Sequence, residues 1–152
     1  MGQQQLLLLV LSTVIVGLAT VAGIQAFSEN QAQAAQDALV QRGTSIASDV
    51  QGLYGKPSQM GGLDKLSDTD GSGIVSRLGY DSDNATVDAD GAGSGGECTL
   101  SVSSSGTNGR LVVTCDSDNA TSTVKVGFDP DEDPKVETSF DGSDPFSSDG
   151  NT

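Results

Sequence analysis

Residues 1–27, MGQQQLLLLVLSTVIVGLATVAGIQAF, decide how the rest of the chain is read. From Leu6 to Phe27 the polar members are Ser12, Thr13, Thr20 and Gln25, and no charged side chain precedes Glu29. A helix of that length rises about 30 Å, enough to cross the hydrocarbon core of a bilayer. A cleavable signal sequence has a cationic start and an apolar stretch of about 7–15 residues. Here the stretch is longer and the first basic residue is Arg42. We therefore read it as a working part of the protein and not as a discarded leader.

The polarity changes after Phe27, but the helical signal continues. Ser28 to Leu53 is rich in Ala and Gln and lacks Pro, and Ala35, Leu39, Ile46, Val50 and Leu53 recur at helical spacing. Gly52, Gly55 and Pro57 supply the stop. The expectation is one helix from about residue 3 to 54, apolar all round in its first half and apolar on one side in its second. It makes a first unit, 1–54, serving as membrane anchor or filament core.

Residues 55–97 are rich in Gly, Ser and Asp. They read as a long loop with a short strand or helical turn near 73–80. In CTLSVSSSGTNGRLVVTC, residues 98–115, apolar and polar side chains alternate on both arms of a hairpin. Pairing Cys98 with Cys115 sets Leu100 opposite Val113 and Val102 opposite Leu111, with the turn at Gly106-Thr107. Asn108-Gly109 would favour a register shifted by about four residues, and the disulfide decides for the first. A third strand is expected at Ser122 to Phe128 and a fourth near Lys135 to Phe140. The fold class is thus α+β, with a small antiparallel β domain over 98–140 carrying one disulfide, and a polar tail, 141–152, ordered by its neighbours.

The chain of 152 residues carries a net charge of −14, and only Glu29, Asp37 and Asp49 of its twenty-one acids precede Asp64. Nucleic-acid binding is excluded, because a phosphate backbone needs clustered Lys and Arg to release its counterions. Few basic residues and an excess of Asp over Glu suit a protein kept soluble in high salt, where charge repulsion is screened, and equally an ordinary acidic extracellular protein. Two cysteines and no His make a poor metal-ligand set and favour a disulfide formed outside the cytoplasm. The chain also lacks the motifs of acid–base, nucleophilic or phosphate-loop chemistry, so an enzyme is not expected. No cofactor other than calcium is suggested.

Asp68, Asp70 and Ser72, with Gly73 after them, match the first half of an EF-hand loop and would be the calcium ligands, although Gly79 stands where the twelfth-position acid belongs. The hexapeptide DSDNAT occurs twice, at 81–86 and 116–121, and gives Asn84 and Asn119 the Asn-x-Thr pattern of a glycosylation acceptor. The same residues are ordinary turn formers.

A long apolar N-terminal helix, continuous with an amphipathic half and followed by a small disulfide-bearing β domain, resembles the layout of type IV pilins and related archaeal-type filament subunits. Sequence likeness lies in about the first 27 residues. The resemblance implies a helix held first in the membrane and then bundled with copies of itself by a pilus assembly machinery, in a filament outside the cell. It would place Leu6, Leu7, Val10, Val14, Gly17, Leu18, Val21, Gly23 and Ile24 in the filament core, and Met1 and Gln5 at an assembly contact. Bacterial pilins usually carry Glu at the fifth mature position; with Met1 as the start, Gln5 stands there and offers an amide, and with processing after Gly2 it would be Leu7. The alternative is a monomeric, single-pass membrane-anchored surface protein with a calcium- or glycan-binding β domain.

Overall fold

In the computed structural model, which describes residues 2–81 and 84–146, one unbroken helix, α1 (Gly2–Tyr54), opens the chain. Its last third buries Ala35, Leu39, Ile46, Val50 and Leu53, the stripe expected from spacing, together with Gly43 and Ala47. That stripe lies across the middle of a sheet, so one helix face is removed from water while Gln41, Thr44, Ser48 and Gln51 stay exposed. Each fully buried Leu, Ile or Val contributes roughly 1.5–3 kcal/mol of transfer free energy. The helix ends where Gly55 N–H bonds to the Gln51 carbonyl and Leu63 N–H returns to that of Leu53.

Residues 55–97 are not a detached loop. After two 3-10 turns (Ser58–Met60 and Leu66–Asp68) comes α2 (Gly71–Leu78), at the place where a short element was expected, and then strand β1 (Thr86–Asp88). Leu63, Leu66, Ile74, Val75, Val87, Ala89 and Ala92 from this region all enter the same core as α1 and the sheet. Each element is too short, at three to eight residues, to show a sequence period. Gly79 closes α2 in the left-handed conformation (φ +78°), its N–H reaching the Ser76 and Val75 carbonyls.

The remaining strands are β2 (Glu97–Ser103), β3 (Arg110–Asp116), β4 (Val124–Phe128) and β5 (Val136–Ser139). All neighbours are antiparallel in the order β1-β2-β3-β4-β5, a meander of short connections. The β2–β3 register sets Cys98 opposite Cys115, Leu100 opposite Val113 and Val102 opposite Leu111, as the hairpin pattern required. Cys98 and Cys115 are joined and fully buried. Closing a loop of this size restricts the unfolded chain by about 3 kcal/mol in the chain-entropy model.

Up to residue 146 the tail is held by the chain's own sheet. Phe146, 5% exposed, lies against Gly127 on the sheet face away from α1, where any side chain at 127 would collide with its ring. The Arg110 guanidinium covers the same ring at 4.5 Å and pairs with the buried Asp129 carboxylate at 2.9 Å. A single aromatic in a polar stretch thus fastens the chain up to residue 146. Residues 147–152 and Met1 lie outside the described residues.

Candidate assembly surface

The first half of α1 stands clear of the domain. Every residue from Gln3 to Gln31 is exposed, and the large apolar side chains run from 51% exposure at Leu11 to 71% at Ile24. Leu6, Leu7, Val10, Val14, Leu18, Val21 and Ile24 are therefore brought together as one rod. At Gly17 and Gly23 a Cβ would meet nothing within 4 Å. With Ala19 and Ala22 they leave flat places where another helix can approach closely.

The hydroxyl residues of the rod do not interrupt it. Ser12 Oγ donates to the Leu9 carbonyl at 3.0 Å, Thr13 Oγ1 to Val10 at 2.8 Å, and Thr20 Oγ1 to both Val16 and Gly17. Their hydrogen bonds are closed within the helix, so each can enter an apolar environment without stranding a hydroxyl. The helix is long and apolar enough to cross a membrane. Gln5 sits in the opening turns, and the first turn carries no acid. The other half of the proposed assembly contact, Met1, is outside the described residues.

The proposed calcium ligands have other employment. Asp70 is the N-cap of α2: its Oδ1 accepts the Gly73 N–H at 2.8 Å and the Ser72 hydroxyl at 3.0 Å. The Gly73 bond first, then that of Ser72, holds its carboxyl below the usual range. Asp68 closes a 3-10 turn two residues earlier. The Asp-x-Asp-Gly spacing that suggested half an EF-hand therefore opens a helix. Among the described residues no group of three or more His, Cys, Asp or Glu converges as a metal site.

Asn84 and Asn119 are both exposed. The Asn119 amide rests against Gly93, a residue at φ +85° whose missing side chain makes room for it. Elsewhere Asp131 ties the β2–β3 turn to the β4–β5 turn by accepting from Asn108 Nδ2 and from the N–H groups of Asn108 and Thr107. Arg42 lies over the Tyr80 ring at 5.1 Å, and the Tyr80 hydroxyl donates to Asp49 at 2.6 Å. These contacts lock loops onto α1 and the sheet. They were not legible in the sequence, because each joins residues more than twenty positions apart.

Comparison with protein-family models, with curated proteins and with solved structures finds no match to this chain.

Proposed function

We propose that the protein is a structural subunit, the major pilin-like component, of an extracellular helical filament built by bundling α1. The observation that supports this most is the division of one unbroken helix, docked on the sheet from Ala35 onward and apolar on every side from Leu6 to Phe27, with the largely polar residues 28–34 between. Such a rod needs lipid or other helices around it. Withdrawing each of its Leu, Val or Ile side chains from water contributes about 1–3 kcal/mol. In the membrane the rod spans the bilayer; after an assembly machinery extracts it, further copies of the rod replace the lipid. The acidic domain then faces a saline exterior, and the buried disulfide suits an oxidising compartment.

The second reading, a monomer whose α1 stays in the bilayer, draws on the same rod. Shearing cells and sedimenting the released material separates the two. The subunit reading expects this chain as the main component of the sheared sediment. Recovery solely from detergent-extracted membranes would end that reading and leave the anchored monomer.

A further inference from the structure

Beyond the rod, two large hydrophobic side chains stand more than half exposed among the described residues: Met60 at 78% and Phe140 at 52%. Their surroundings are opposite in charge. Met60 ends the first 3-10 turn, where Lys56 and Arg77 line one hollow beside the end of α1. Arg77 Nη1 donates to the Gly61 carbonyl at 3.2 Å, which fixes the guanidinium against the residue that follows Met60. Neither Lys56 nor Arg77 is among the cations that pair with a carboxylate in the described residues, and the acid of that hollow, Asp49, is taken by the Tyr80 hydroxyl. Phe140 follows β5 and lines one hollow with Asp141 and Asp144, Asp144 lying 3.8 Å from Arg110 Nη1 and Lys125 standing opposite Ser139 on the next strand. Asp141 is held by both serine hydroxyls of Ser139 and Ser143 and by the Ser143 N–H.

The two points lie at different ends of the domain. Tyr54, just before Lys56, packs edge-on against Phe128 at one end of β4, with ring centroids 6.0 Å apart. Phe140 follows Ser139, whose partner Lys125 is near the other end, where Gln36 of α1 donates to Ser122. From Gln36 to Tyr54 the helix advances about 27 Å. The points also fall toward opposite sheet edges, since α2 packs on β1 and β2 whereas Phe140 leaves β5.

We infer that Met60 with Lys56 and Arg77 of one copy docks on Phe140 with Asp141 and Asp144 of the next copy. This rests on the filament reading and names the contact its domains make. Parallel copies bundled through α1 and offset along its axis bring the far end of one domain to the near end of another. The two patches differ, so the contact is heterologous, and with copies offset along the axis it repeats without closing, as a filament requires. Pairing cations with acids also relieves the mutual repulsion of copies that each carry −14.

The test is thiol cross-linking of filaments of the full chain carrying Met60→Cys and Phe140→Cys together, with a short bismaleimide. Both sites are exposed, and the native cysteines are buried in their disulfide. A ladder of covalent dimers, trimers and higher species is expected, with each single variant remaining monomeric on the gel. Adding Lys56→Glu and Arg77→Glu is expected to cut the ladder several-fold. Monomer alone from the doubly substituted chain, in filaments visible by electron microscopy, overturns this docking and leaves the filament reading standing. Absence of filaments from the unaltered chain overturns both.

Discussion

A Cβ placed on Gly43 would lie 2.8 Å from Cγ2 of Val126 and 3.3 Å from Sγ of Cys115, so α1 crosses the sheet beside the disulfide where its stripe carries no side chain. In an exposed helix, Gly→Ala is favourable by up to about 1 kcal/mol. Here overpacking wins, and Gly43→Ala is expected to destabilise the domain by about 1–3 kcal/mol. Denaturant unfolding of the full chain in detergent gives the sign directly: a lower midpoint at unchanged slope is the expected outcome.

The Cys98–Cys115 pair is fully buried between α1 and the sheet. Reductant is therefore expected to leave it intact under native conditions and to open it in step with unfolding. Replacing both residues with Ala is expected to cost about 2–5 kcal/mol, read from the shift in denaturant midpoint. Thiol trapping without denaturant checks the first half of this expectation.

Burial, then the Asp49 hydrogen bond, raises the Tyr80 hydroxyl from 10.0 to about 12. Its neutral form is the one the fold favours, so the stability it gives is fully present below pH 10 and is lost as pH rises through about 12. Tyr80→Phe removes the Asp49 bond and is expected to cost about 1 kcal/mol at neutral pH. The same variant is expected to flatten the alkaline limb of the stability curve, as followed by circular dichroism.

Asp131 shows the opposite dependence. The bond from the Asn108 side chain, followed by that from the Asn108 N–H, lowers its carboxyl pKa. Its contribution is present above the ordinary Asp range and is lost as pH falls through the lowered value. The Thr107 and Asn108 amides are expected to exchange faster below that point. In Asp131→Ala, which removes the acceptor, their protection is expected to be lost and to show no pH dependence tied to this carboxyl, measurable by NMR.

Two substitutions separate membrane residence from assembly. Gly17→Leu keeps the rod apolar but fills a place where a neighbouring helix would approach. Membrane recovery is expected to be unchanged while filament yield falls at least several-fold. Val14→Lys puts a charge in the middle of the rod and is expected to lose both, since a central Lys costs about 2.5–3.5 kcal/mol on insertion scales. Fractionation of sheared and detergent-extracted material reads both effects.

The legible parts of this fold were those carried by local periodicity. Ala35, Leu39, Ile46, Val50 and Leu53 announced the docked face of α1, while Gly43 and Ala47 did not, because a small residue at a close crossing gives no hydropathy signal. The β2–β3 register followed from three coincident apolar pairs and a disulfide. Strand β1 escaped notice because it offers one buried side chain, Val87, and Phe146 because its anchoring depends on the distant Gly127 and Arg110. Asp70 is ambiguous in sequence for a chemical reason: a carboxylate followed by glycines serves a helix cap as well as a cation loop, and the cap is what the fold shows. The rod was plain from composition, whereas the Met60 and Phe140 patches depend on which loops the fold brings beside each residue.

The central claim is that copies of the same helix cover the exposed half of α1. Electron cryomicroscopy of sheared surface filaments, with mass analysis of their main protein, tests it most directly. The expected result is a core of parallel helices matching residues 6–27 of this chain, with the disulfide-bearing domains on the outside. A filament core built of another protein, or recovery of this chain only as a monomer from detergent-extracted membranes, would contradict it.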